Sequence, residues 1–138
     1  MKKLIYLTSV AVAVALLLFS CDKNKKSERF TLLTTPVWTT ESVTATGADT
    51  SGVSVLVKLV WGDAKFNTDG TGTFGMFSGN WSFNSDEDQI TITTASLPSA
   101  IVANIITLTN QSLKLSTDLA FPTHPENLIN IVLSFKVK

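Results

Sequence analysis

Apolar and polar residues alternate along much of residues 30–138, which is the pattern of half-buried β-strands. The alternation is clearest in the closing run "LINIVLSFKVK". Shorter runs place Ile90 and Ile92 on one face of "QITITT", and Leu113 and Leu115 on one face of "SLKLS". Eighteen threonines in the same region favour strands, because β-branched side chains suit a pleated surface. In the closing run, one face carries five apolar residues: Ile129, Ile131, Leu133, Phe135 and Val137.

A longer apolar run, "VSVLVKLVWGDAKF" at 53–66, changes its parity partway along. Alternate residues from Val53 to Trp61 share one face, whereas Ala64 and Phe66 fall on the other. We therefore predict a strand with a bulge or bend near Gly62-Asp63.

Turn-forming residues separate these runs at short intervals, and the Asp-Gly pair at 69–70 is the strongest hairpin signal. A segment with two prolines, "FPTHPEN" (121–127), is predicted to be a loop. The runs predict an all-β domain: an antiparallel meander of about 7–8 strands that forms a small barrel, since closure removes exposed edges. A β-sandwich is the alternative. Reversals are predicted at "NTDGTG" (67–72), "SGN" (78–80), "NSDED" (84–88) and "TNQS" (109–112).

The first 20 residues have the parts of a secretory signal peptide. Lys2 and Lys3 supply its positive start, and the apolar stretch 4–19 follows. These 16 residues are short for a membrane-spanning helix, which needs roughly 20. A cleaved signal over residues 1–20 is therefore the prediction.

The only cysteine, Cys21, stands where this apolar stretch meets a lysine-rich segment. The four residues "LFSC" (18–21) resemble the lipobox of bacterial lipoproteins. The resemblance implies that Cys21 is acylated and anchors the protein to a membrane of the cell envelope, with the outer membrane favoured, on its periplasmic side or at the cell surface. The alternative is a secreted protein with an incidental Cys21. One cysteine permits no intrachain disulfide.

Charge divides the remaining chain into a tether and a domain. Residues 21–29 are read as the lipidated cysteine and a flexible, solvated linker, of which 22–29 carries a net charge of +2. Residues 30–138 contain five basic and nine acidic residues, a net charge of −4. An acidic domain is a poor candidate for nucleic-acid binding, which requires a basic face.

Catalytic and metal-binding chemistry finds little support in the sequence. The single histidine, His124, lies between two prolines and is read as solvated, so neither a hydrolase triad nor a typical zinc site is expected. The loop beginning at Asn67 resembles a calcium loop only in part, because Ser78 stands where an EF-hand requires glutamate. The acidic run 86–88 is read as a solvated turn. We predict a non-enzyme without a cofactor.

In order along the chain, several short motifs resemble the small lipocalin-like domains of Bacteroidota lipoproteins. The resemblance implies a barrel with an apolar interior that could hold a ligand, although it identifies none. The motifs are "LLTTPVW" (32–38), "FNTDGTG" (66–72), "GNWSF" (79–83), "ITI" (90–92) and "IITLTNQSLKL" (105–115).

Five aromatic residues are candidates both for the core and for the wall of a ligand cavity. Two functions follow. The first is a lipid-anchored, non-catalytic protein that binds a small hydrophobic ligand in its barrel. The alternative is an envelope module with a filled core that binds a protein or glycan partner through loops or a sheet edge. The five candidate residues are Trp38, Trp61, Phe74, Trp81 and Phe83.

Overall fold

The structure is a computed structural model that describes residues 25–47, 53–121 and 124–138. Antiparallel strands dominate these residues, and two short helices accompany them. The helices are α1 (Glu28–Thr34) and α2 (Val53–Val60). The strands are β1 (Trp38–Thr46), β2 (Asp63–Phe66), β3 (Thr71–Phe74), β4 (Phe77–Phe83), β5 (Gln89–Thr94), β6 (Ile101–Leu108), β7 (Ser112–Phe121) and β8 (His124–Val137).

Each strand pairs with the next along the chain, and β8 returns to pair with β1. The closing ladder runs from Trp38 opposite Val137 to Thr46 opposite Asn130. The eight strands within the described ranges therefore form a closed barrel. This confirms the predicted antiparallel meander and its closure, and the β-sandwich alternative is not observed.

The alternation in the last strand predicts the core correctly for most of its length. Ile129, Ile131 and Phe135 are buried and Leu133 is partly buried. Val137 is the exception and lies exposed, because it stands at the last position of β8. Inward-facing residues of all the longer strands thus meet in one apolar interior.

Helix α1 begins inside the segment predicted as tether and was not expected from the sequence pattern. Ser27 is its N-cap: the Ser27 hydroxyl accepts a hydrogen bond of 3.0 Å from the Phe30 backbone N–H. The helix ends at Thr34, and its C-cap Thr35 still has helical φ and ψ. Pro36 follows, and because proline has no backbone N–H it cannot continue the helical hydrogen bonds. Its apolar side places Leu33 fully inside the barrel.

The prediction of a strand at 53–61 with a bulge near Gly62 is wrong. Residues 53–60 form helix α2, and the Trp61 backbone N–H donates to the Val57 carbonyl in the helical manner. The apolar residues at 53, 56, 57 and 60 also fit helical spacing, which the β-branched composition obscures. Gly62, at φ +128°, joins this helix to β2 rather than forming a bulge within a strand.

Two of the predicted reversals are also placed differently by the structure. Gly79, in the predicted turn 78–80, lies inside β4, where a Cβ atom would collide with the Thr93 carbonyl of β5. Gly79 therefore allows β4 and β5 to lie close together. The chain turns at 75–76 instead. The predicted loop 121–127 is largely strand, with a register shift between Ala120 and Phe121 that interrupts regular pairing near Pro125. The reversals predicted at 67–72, 84–88 and 109–112 are confirmed.

Candidate functional site

One end of the barrel, here called the α1 end, consists of helix α1 and the turns at 67–70 and 84–88. Trp38 and Leu33 are both fully buried there, and the Trp38 indole N–H donates a 3.0 Å hydrogen bond to the Leu33 carbonyl. Trp81 lies beside them, with Phe30 at 5.6 Å and Phe66 at 5.5 Å between ring centroids. Aromatic packing of this kind fills the α1 end.

Two basic side chains attach helix α1 to the barrel. The Lys65 ammonium donates to three backbone carbonyls at the end of the helix, those of Thr34 (2.6 Å), Thr35 (3.0 Å) and Pro36 (3.1 Å). The Arg29 guanidinium donates to the Glu87 carbonyl in the turn between β4 and β5, at 2.8 Å. Lys65 thereby satisfies carbonyls that a helix leaves without partners.

The other end, here called the α2 end, carries helix α2 and the turn at 75–76. The Met76 backbone N–H donates to the Leu59 carbonyl at 2.9 Å, which holds α2 against that turn. Helix α1 contacts the turn that follows β4, whereas α2 contacts the turn that precedes it. A strand of seven residues separates the two turns by roughly 20 Å, so the helices lie at opposite ends of the barrel.

A cavity of about 70 Å³ lies inside the barrel toward the α2 end. Val60 of α2 and Leu97, in the connection between β5 and β6, contribute to its wall. The rest of the wall comes from inward-facing strand residues, nearly all of them apolar. These are Ala64, Phe66, Phe74, Phe77, Ile92, Thr94, Ile101, Ala103, Leu115, Thr117, Leu119, Ile131, Leu133 and Phe135.

The polar side chains in this wall are Thr94 and Thr117, and both are buried. The Thr117 hydroxyl donates a 2.8 Å hydrogen bond to the Val102 carbonyl. The Thr94 hydroxyl accepts a 3.2 Å hydrogen bond from the Ser96 backbone N–H. Both hydroxyls are thus hydrogen-bonded to backbone groups, and the surface of the cavity is almost wholly apolar.

The five aromatic residues chosen from the sequence occupy three different environments. Phe74 lines the cavity. Trp38, Trp81 and Phe83 belong to the packed α1 end, where Trp81 and Phe83 stand edge to face at 5.4 Å. Trp61 is 51% exposed and does not line the cavity. Ligand contact by these residues stays a prediction, as does acylation of Cys21, which lies outside the described residues.

Several wall residues are absent from the five candidates chosen from the sequence, although their inward orientation was predicted. The alternation places Phe135, Leu133 and Leu115 correctly on inward faces, but it marks them only as core. Phe77 follows Phe74 across the short turn at 75–76, and both rings contribute to the wall. Because alternation marks an inward position without distinguishing filled from empty interior, these residues could be found as core but not as cavity wall.

No ionisable side chain of the described residues lines the cavity. Hydrogen bonds from Lys138 and Thr39, in that order of effect, hold the pKa of Asp63 below its usual range. Hydrogen bonds from the Thr71 hydroxyl and backbone N–H likewise lower the pKa of Asp69.

Among residues 25–47, 53–121 and 124–138, no cluster of three or more histidine, cysteine or acidic side chains is placed to hold a metal ion. Within the same ranges no helix is long and apolar enough to cross a membrane.

The barrel resembles a solved structure of a ligand-carrying protein. Bovine odorant-binding protein in complex with a selenium-containing odorant matches this chain with a TM-score of 0.50 and 11% sequence identity. The match covers 86% of this chain and 78% of that chain. No protein-family model matches the sequence, and no curated protein matches it. At this identity the likeness concerns the fold alone, which is lipocalin-like.

Proposed function

We propose that the barrel binds a small apolar molecule without catalysing a reaction. The observation that carries the proposal is the almost wholly apolar cavity at the α2 end. Ligand sites are typically concave and apolar, with a few polar groups that fix orientation. The solved odorant complex on a similar fold adds support, although what that protein binds is not transferred to this chain.

The cavity volume limits the ligand. About 70 Å³ is well below the roughly 300–1,000 Å³ that drug-sized ligands occupy. A lipid chain does not fit this volume, so the proposed ligand has only a few non-hydrogen atoms. A larger ligand would require α2 to move, because Val60 of that helix forms part of the wall.

The alternative function, binding of a protein or glycan partner, divides into two cases. Binding through a sheet edge loses support, because the closed barrel leaves no unpaired edge among the described strands. Binding through loops stays a prediction. The exposed side chains of Trp61 and Met76 at the α2 end are the surface that such a partner would use.

Filling the cavity tests the proposal. Ala103 is buried in the wall, so Ala103→Leu places additional carbon atoms where the ligand would lie. Ala120→Leu is the matched control, because Ala120 is exposed on the same barrel. We would record methyl NMR spectra of the full chain while titrating cyclopentane and benzene. Saturable shifts at Ile92 and Leu133 that persist in Ala120→Leu but vanish in folded Ala103→Leu are expected. No saturable shift in the wild type overturns the proposal.

We propose further that Cys21 is acylated and anchors the protein to the cell envelope, in the manner of Bacteroidota lipoproteins. The support is the sequence "LFSC" and its place after an apolar stretch. Seven residue steps separate Cys21 from Glu28, where α1 begins, so the link spans at most about 25 Å. Such an anchor would keep the start of α1 within about 25 Å of the membrane surface.

Mass spectrometry of the protein expressed in a bacterium with a lipoprotein pathway tests the anchor. We expect the first residue to be Cys21 with attached acyl chains, and the protein to fractionate with membranes. Cys21→Ser is expected to lose both the acyl mass and the membrane association. An unmodified Cys21 in an exported protein would favour the incidental cysteine instead.

A further inference from the structure

The connection between β5 and β6, residues 95–100, contributes one side chain to the cavity wall. Strand β5 begins next to the turn 84–88 of the α1 end, so its last residue, Thr94, and the connection that follows lie at the α2 end. Five of the six residues of this connection are exposed, whereas Leu97 is half-buried and lines the cavity. Leu97 is therefore the side chain that this connection places against the barrel interior.

Few hydrogen bonds hold this connection in place. The Ser96 backbone N–H donates to the Thr94 hydroxyl at 3.2 Å, and the Leu97 backbone N–H reaches the Thr94 carbonyl only at 3.5 Å, which is long for such a bond. Both acceptors belong to the strand end that directly precedes the connection. Among the described residues, no hydrogen bond joins 95–100 to another strand or to a helix. The connection can therefore move away from the barrel without breaking a bond to another element.

The rest of the wall is held more firmly. Outside the strands, the other described wall residue is Val60 of α2. Although α2 has few contacts with the strands, the Leu59 carbonyl accepts from the Met76 backbone N–H at 2.9 Å, and the Val60 carbonyl accepts from the Thr40 hydroxyl at 3.4 Å. The strand residues of the wall belong to a closed barrel, in which each strand is paired on both sides. Of the described wall segments, the connection 95–100 is thus the easiest to displace.

We infer that small apolar ligands enter the cavity at the β5–β6 connection, and that Leu97 is the side chain that closes this entrance. This inference rests on the proposed function. Entry requires Leu97 to leave its half-buried position, which exposes apolar area to water and costs free energy. A ligand that fits the present volume needs this movement alone, while α2 and the strands keep their positions.

The rate of ligand association tests this entrance, because association depends on how readily the wall opens. We would titrate the full chain with cyclopentane and benzene and obtain association and dissociation rate constants from exchange broadening of the Ile92 and Leu115 methyl resonances, both of which line the cavity. The test variant is Leu97→Ala. Leu133→Ala is the matched control: it removes the same atoms from the same wall, at a partly buried position of β8 that is paired with β7 and β1. Val60→Ala tests α2 as the entrance.

We expect Leu97→Ala to raise the association rate constant roughly three- to tenfold, because withdrawing a half-buried leucine side chain costs apolar burial that alanine does not lose. The dissociation rate constant should rise as well, since the ligand leaves by the same route. Leu133→Ala and Val60→Ala should keep the wild-type association rate constant, although the larger cavity changes the dissociation rate constant.

An association rate constant that Leu97→Ala leaves unchanged overturns the role of Leu97, while apolar binding still stands. Acceleration of the same size in Leu133→Ala also overturns it, because added volume would then explain the result. Acceleration of the same size in Val60→Ala places the entrance at α2 and overturns it too. Absence of saturable binding of both hydrocarbons to the wild type overturns the proposed function, and this inference with it.

Discussion

The α1 end and the α2 end of the barrel are both rich in apolar residues, yet they are built differently. At the α1 end, Trp38 and Leu33 are fully buried, and a capped helix is bonded to the barrel through Lys65. At the α2 end, Trp61 and Met76 are 51% and 76% exposed, and a cavity lies beneath the helix. Side chains therefore fill the interior at the α1 end, whereas a cavity remains in the interior at the α2 end.

The difference shows how one small barrel can combine stability with a binding site. Close packing and satisfied polar groups at the α1 end contribute to the free energy of unfolding. Among the described residues, helix α2 makes fewer contacts with the strands than α1 does, and few contacts are the usual condition of segments that open to admit ligands. Mutations at the two ends should therefore have different effects.

The largest effect is expected from the two tryptophans. Trp38→Ala removes a fully buried indole and its hydrogen bond to Leu33, so the free energy of unfolding should fall by about 3–5 kcal/mol. Trp61→Ala removes an exposed side chain and should lower it by less than about 1 kcal/mol. Urea unfolding followed by far-UV circular dichroism measures both values. Similar losses of unfolding free energy in the two variants would contradict the difference in packing between the two ends.

Gly75→Ala tests how α2 is held in place. Gly75 has φ +60°, and an added Cβ would lie 2.5 Å from the Leu59 carbonyl oxygen and 2.8 Å from the Val60 carbonyl carbon. We expect a loss of roughly 1–3 kcal/mol from backbone strain and steric overlap. We also expect faster hydrogen exchange of the Met76 amide, which donates to Leu59.

Gly70→Ala is the matched control for this variant. Gly70 also has a positive φ, +86°, but an added Cβ would meet its nearest neighbour, the Trp81 carbonyl oxygen, at an ordinary 3.5 Å. It should show the backbone strain without faster exchange at Met76. If both variants accelerate exchange there equally, contact with Gly75 does not hold α2.

Lys65→Met tests the attachment of α1 with a somewhat smaller effect. The substitution keeps the apolar stem and removes the ammonium that bonds the carbonyls of Thr34, Thr35 and Pro36. We expect thermal unfolding to report a loss of about 1–2 kcal/mol. Lys114→Met on the exposed face of β7 should change stability by no more than about 0.5 kcal/mol. Equal losses of stability in Lys65→Met and Lys114→Met would show that the hydrogen bonds from Lys65 to the three carbonyls do not stabilise the fold.

The smallest effect concerns Asp63, which begins β2 and bonds Lys138 and Thr39. Since its folded pKa is depressed, its contribution is present above the unfolded pKa of about 3.9 and is lost as the pH falls through the folded value. Asp63→Asn should therefore lower the melting temperature slightly at pH 7 and have no effect near pH 2. Because the pair is exposed, 1 M salt should shrink the difference at pH 7. A difference that grows on acidification would contradict this assignment.

The sequence predicted the barrel well because its strands alternate with period 2. Ile90, Leu113, Leu115, Ile129 and Ile131 are all buried as expected. The helices escaped prediction for a physical reason: α1 and α2 are short, and isolated helices of that length are not stable by themselves. Tertiary contacts, such as Lys65 on the end of α1 and the Met76 bond to Leu59, stabilise them.

The candidate site was predicted only in part, since the five aromatic residues were chosen by type rather than by position. Phe74 lines the cavity, whereas Trp61 follows α2 and faces solvent because residues 53–60 are helical rather than extended.

By itself, therefore, the sequence determined the all-β class, the reversals at 67–72, 84–88 and 109–112 and the inward faces of β5, β7 and β8, because these follow from local periodicity and from residues that permit tight turns. Only the tertiary structure decided which end is filled and where the cavity lies. Those properties depend on how residues far apart in the chain share one interior volume, and alternation along a strand carries no information about that volume.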